Sequence, residues 1–133
     1  MKRFVMSLFI LFFLASTPSV FGQEKKVEFD KNFSHVVYFW LKNPENIDDR
    51  QAFEASLKKF LRNSKYAQTK FIGVPAQTPR EVVDNSYTYS LILSFPSKEI
   101  QNKYQQEEAH LKFIDESSSL WEKVLVYDSI GID

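Results

Sequence analysis

The chain contains no cysteine. That excludes a disulfide-stapled scaffold, a thiolate metal site, a cysteine nucleophile and a lipid anchor attached at a signal-cleavage cysteine. Histidine is almost as scarce, with two in 133 residues. Neither belongs to a His/Asp/Glu cluster at ligand spacing, so no zinc centre is expected and no cofactor is assigned. Charge of one sign does not dominate, since 17 Lys and Arg face 17 Asp and Glu. No basic stripe marks any segment, which argues against nucleic acid as a partner. Internal repeats, low-complexity tracts and a second-domain boundary are lacking too.

What is present begins with a leader. Lys2 and Arg3 precede an apolar run from Phe4 to Ala15, and Val20 and Gly22 are acceptable at the −3 and −1 positions of a cleavage site before Gln23. The run breaks at Ser16-Thr17-Pro18-Ser19, short of the about 20 apolar residues of a spanning helix. Residues 1–22 therefore read as a secretory signal. The remaining chain is expected to be soluble in a secreted or periplasmic setting, with no membrane contact after cleavage. Residues 23–32 are polar and read as a flexible lead-in, and 33–133 as one domain.

Within that domain, Phe33 to Leu41 (FSHVVYFWL) is β-branched and aromatic and reads as a strand. Both of its faces are apolar: His35, Val37, Phe39 and Leu41 on one, Val36, Tyr38 and Trp40 on the other. Each face needs cover. Helices can cover one; the chain has too few strands for a second sheet, so a second copy of the chain is expected on the other. Asn46 caps a helix whose Phe53, Leu57, Phe60 and Leu61 form one stripe. TKFIGVPAQ reads as an edge strand, because Pro75 disfavours a central one. Tyr87 to Phe95 alternates as a strand, with Tyr87, Tyr89, Leu91, Leu93 and Phe95 on one face. Ser97 caps a helical region from Lys98 to about Leu120, with Ile100, Tyr104, Phe113 and Ile114 inward. Trp121 to Ile130 closes the chain as a strand.

The order β-α-β-β-α-β is the ferredoxin-like split motif of the α+β class. It places the first and third strands centrally in a four-stranded antiparallel sheet, with helices on one face and a dimer surface on the other.

Several segments together resemble the stress-responsive dimeric α/β-barrel (Dabb) family. SHVVYFWL is similar to its opening strand, SYTYSLILSF to its third, YQQEEAHLKF to its helical Tyr…His-Pro-x-His-x-x-Phe segment, and WEKVLVYDS to its closing strand. The resemblance implies a dimeric α/β barrel. From a polyketide-cyclase branch of the family it implies Tyr104 and His110 as an acid and base, with His35 as an orienting residue. A second pocket histidine of that branch falls on Tyr89, and the His-Pro pair on Glu107 and Glu108. Without the proline, the helix is expected to run on without the usual break. Six residues of helix amount to about 600° of rotation, about 120° short of two turns, so an unbent helix separates Tyr104 from His110.

The readings that follow are three. The first is a module that binds a small apolar or aromatic ligand without turnover, lined by His35, Phe39, Tyr87, Tyr89 and Phe113, with Trp40 and Trp121 as further aromatic walls. The second is a cofactor-independent cyclase or lyase that uses Tyr104 and His110. The third is a dimeric α/β-barrel monooxygenase, which no residue pattern favours.

Overall fold

The structure, a computed structural model, describes residues 28–132. The expected signal segment and the start of the lead-in lie outside the described residues. Residues 28–32 have no regular secondary structure, yet they are tied to the sheet: the Asp30 amide donates to Ser94 Oγ at 2.9 Å.

Strand β1 (Phe33–Leu41) leads into helix α1 (Ile47–Asn63), and strands β2 (Lys70–Gly73) and β3 (Tyr89–Phe95) follow. Helices α2 (Lys98–Gln106) and α3 (Glu108–Ser117) precede the last strand, β4 (Trp121–Ile130). The four strands form one antiparallel sheet in the order β2-β3-β1-β4. β1 and β3 are central and β2 lies at an edge, as the sequence suggested. The burial of β1 alternates strictly, with Phe33, His35, Val37, Phe39 and Leu41 inside. Those positions meet both helical layers through Phe39–Phe53 and Phe39–Phe113 ring contacts, so the helices share one face of the sheet.

Helix α1 starts where Asn46 Oδ1 accepts from the amides of Asp48 and Asp49 at 2.9 and 3.1 Å. Such a cap contributes about 1 kcal/mol. Its stripe of Phe53, Leu57, Phe60 and Leu61 is buried, and with Tyr89, Leu91, Leu93 and Phe95 of β3 it forms most of the core.

Four details differ from the sequence reading, the first being that β2 spans only Lys70–Gly73 of the expected residues 69–77, so Pro75 lies beyond its end. The region after Ser97 is not one helix, because Glu107 is extended (φ −68°, ψ 146°) and separates α2 from α3. The break resets the helical phase so that Phe113 and Ser117 face inward. Ile114, expected inside, is consequently 40% exposed. β3 begins at Tyr89, not Tyr87. Tyr87 leaves the alternation and packs on Tyr38, with ring centroids 4.8 Å apart, on the sheet face that the helices do not cover.

That uncovered face carries Val36, Tyr38 and Trp40, each part-buried, beside Phe71 (53% exposed) and Tyr127 (56% exposed). The register pairs Val36 with Ile92 and Tyr127, so these apolar side chains run across all four strands.

Candidate functional site

The break at Glu107 builds the candidate site. Its amide still donates to the Tyr104 carbonyl (3.2 Å), and its carbonyl accepts from the amides of His110 and Leu111 (3.1 Å each). The turn thus leaves those backbone groups paired. The Glu107 carboxylate reaches across to the end of α1, accepting from Ser64 Oγ at 2.5 Å and from the Lys65 amide at 2.9 Å. Glu107 thereby ties the helix break to α1.

The consequence is convergence. Tyr104, from the last turn of α2, and His110, from the first turn of α3, have ring centroids 4.9 Å apart. His35 of β1 closes the cluster from the sheet side, 5.6 Å from the Tyr104 ring. Its Nδ1–H donates to Asp128 Oδ1 at 2.6 Å, a pairing set by the register that places His35 directly opposite Asp128 on β4.

His110 is fixed in a similar way. Its Nδ1 lies 3.0 Å from the Gln105 carbonyl. A carbonyl only accepts, so Nδ1 carries the hydrogen and the neutral ring keeps a lone pair on Nε2. Burial, assisted by the neighbouring His35, holds His110 below the usual histidine range, against the opposing effect of its bond to Gln105. For Tyr104, burial first and then the charges of Glu107 and Asp128 push the phenol well above its ordinary range. Its hydroxyl has no hydrogen-bond partner among the described residues. A neutral phenol beside a neutral imidazole can donate a hydrogen bond to a developing oxyanion and accept a proton, respectively.

The cluster is tightly packed. Tyr104 is 1% exposed and His35 4%, and the rings of Phe60 and Phe95 lie 5.6 and 4.9 Å from Tyr104. The expected pocket between sheet and helices is filled, in the single chain, by rings at contact distance.

The remaining expected lining residues are dispersed. Phe39 packs on Phe53 and Trp121 farther along the core. Tyr89 stacks on Phe53, with its hydroxyl donating to Glu54 at 2.7 Å. Burial and that carboxylate push its phenol up to about 12. Phe113 stacks on Phe60 and so lies one ring away from Tyr104. Tyr87 and Trp40 are on the other face, where Lys123 Nζ sits 4.3 Å over the Trp40 ring. The structure therefore unites His35, Tyr104 and His110 and separates Tyr87, Phe39 and Tyr89 from them.

Asp128, Glu107 and Phe60 gain roles at the site that the sequence reading did not give them. Asp128 was visible as the acidic residue of WEKVLVYDS, and pairing β1 with β4 in register would have found it. Among the described residues, no group of three His, Asp or Glu is placed to hold a metal ion.

The stress responsive A/B barrel domain family matches residues 33–130. The chain belongs to that family. Solved structures similar to this Dabb chain include a Dabb family protein with a ferredoxin-like fold from Mesorhizobium loti, with a TM-score of 0.64 at 20% identity, covering 76% of this chain and 97% of that one. A hydroxynitrile lyase from Passiflora edulis is similar with a TM-score of 0.65 at 16% identity, over 77% of this chain and 94% of that one. A dimeric ferredoxin-like protein of unknown function from Bacteroides fragilis has a TM-score of 0.59 at 15% identity, over 77% and 99%. At these identities the likeness is one of fold. No protein of curated function matches the sequence.

Proposed function

We propose that this Dabb chain is an extracytoplasmic homodimer that uses the His35–Tyr104–His110 cluster for cofactor-independent acid–base chemistry on a small carbonyl compound, in the manner of a cyclase or lyase. One observation carries the reading: the break at Glu107 brings Tyr104 and His110 into ring contact, which an unbroken helix would prevent. His110 Nε2 takes a proton from the carbon next to the carbonyl, and the Tyr104 hydroxyl donates to the oxyanion that develops. His35, held by Asp128, packs against the Tyr104 ring and positions it. The fold likeness to a protein named as a hydroxynitrile lyase is in keeping with lyase chemistry on this scaffold.

A second reading is ligand binding without turnover, since the rings packed around Tyr104 disfavour a substrate at the cluster itself. The two are separated by comparing wild type with Tyr104→Phe and His110→Gln against aromatic aldehydes and β-polyketones. Turnover that falls at least about a hundredfold in both variants supports chemistry; ligand binding by all three proteins without turnover leaves binding alone.

The homodimer rests on the uncovered face, where Val36, Tyr38, Phe71, Ile92 and Tyr127 leave an apolar sheet surface. Stacking two such faces would complete a barrel, and two neighbouring folds are described as dimeric.

A further inference from the structure

A cleft of about 630 Å³ runs between α1 and α3, and its lining includes Phe60 but neither Tyr104 nor His110. Its construction follows from two glutamates. Glu116 closes one end, accepting from Ser56 Oγ (3.1 Å) and Lys59 Nζ (3.0 Å) of α1. Glu107 closes the other through Ser64 and the Lys65 amide. Between these clamps Phe60 and Phe113, stacked 5.1 Å apart and only 3% and 4% exposed, form a narrow aromatic floor with Ala109 and Tyr66 beside them, and the walls are polar and charged. The volume falls within the range of small-molecule sites.

The rim is where charge is left over. Lys59 is spent on Glu116, and the carboxylates of Glu107 and Glu116 are both held in their clamps. Lys65, Lys103 and Lys112 also line the cleft, and none of them forms an ion pair among the described residues. Glu108 is the single carboxylate of the lining outside the clamps. An aromatic floor under an excess of unpaired ammonium groups suits a ligand with an apolar body and one negative end.

We propose that the α1–α3 cleft binds an amphipathic organic monoanion, an aryl or medium-chain carboxylate, with its body on Phe60 and Phe113 and its carboxylate among Lys65, Lys103 and Lys112. The site does not depend on the acid–base chemistry assigned to Tyr104 and His110. Phe60 is the shared wall: its ring lies 5.4 Å from that of His110, so an occupant of the cleft rests one side chain from the cluster.

The test is a titration of the folded protein with 4-phenylbutyrate and, separately, with its neutral amide 4-phenylbutyramide, followed by amide NMR shifts and calorimetry. The expected result is saturable binding of the carboxylate with shifts concentrated in residues 56–66 and 103–116. The carboxylate should bind about fivefold more tightly than the amide at low salt. That preference should vanish in the Lys103→Gln/Lys112→Gln double variant and shrink as salt is added. Tyr104→Phe should bind the carboxylate as wild type does, even where it abolishes any turnover. The proposal is overturned by an absence of saturable binding at millimolar carboxylate, by equal affinity for the amide, or by shifts centred on the sheet face at residues 36–40. Loss of binding in Tyr104→Phe would overturn it as well, since the anion would then sit at the cluster and not in the cleft.

Discussion

Tyr104 and His110 differ from ordinary core aromatics in what their polar atoms do. The Tyr104 side chain is almost fully buried and its hydroxyl donates to no side chain or carbonyl among the described residues, so Tyr104→Phe removes no hydrogen bond within them. The variant's stability in urea is expected to match wild type within about 1 kcal/mol, while any turnover is lost. A clear loss of stability would instead make the hydroxyl a structural group. His110 supplies a pH signature. Its folded pKa lies below the unfolded value of 6.5, so between the two the unfolded chain binds more protons. Its contribution is therefore fully present above the unfolded value and is lost as pH falls towards the folded one. Urea midpoints at pH 7.5 and pH 5.5 should show wild type losing stability on acidification, and His110→Gln losing less of it. Glu54 and Glu116, both held below the carboxylate range by hydrogen bonds from Tyr89 and from Lys59 respectively, titrate in a lower window and do not imitate this effect.

At the scale of elements, the helix break was the feature that sequence reading missed. YQQEEAHLKF has no proline to mark a break, and Gln, Glu and Ala are all good helix formers. The missing information was tertiary: a glutamate that reaches the end of α1, more than forty residues earlier in the chain. Removing that carboxylate with Glu107→Ala should destabilise the fold by about 1–3 kcal/mol, since two charge-assisted bonds are lost, and urea unfolding measures it. The geometry also says where a proline could be placed. Glu108 is the first residue of α3, a favoured site for proline, and the Glu107 dihedrals already suit a residue that precedes one. Glu108→Pro should keep the fold and raise its stability by about 0.4–1 kcal/mol. A destabilised variant would show that the break is held differently. The regular elements were easier to read, because the caps at Asn46 and Ser97 and the stripe on α1 are local signals.

For the whole molecule, two-faced apolarity in β1 was the informative signal. It led to one face that the chain's own helices leave uncovered, while the sheet order followed from the β-α-β-β-α-β order of the elements. It could not say which cross-strand neighbours meet. His35 and Asp128 face each other only through the β1–β4 register, and Tyr87 changed faces where β3 started later than its alternation suggested. If two uncovered faces stack, Tyr38→Glu places a charge in the middle of that contact, and sedimentation should then shift from dimer to monomer. A monomeric wild type would contradict the dimer. The acid–base cluster itself is tested most directly by deuterium exchange, which needs no knowledge of the natural substrate. In deuterated buffer, NMR would follow exchange of the proton between the carbonyls of an aryl β-diketone, with wild type, Tyr104→Phe and His110→Gln compared against buffer alone. Exchange accelerated by wild type and lost in both variants is the predicted result. Wild-type exchange no faster than buffer, or equal in all three proteins, would contradict the assignment of Tyr104 and His110 as acid and base.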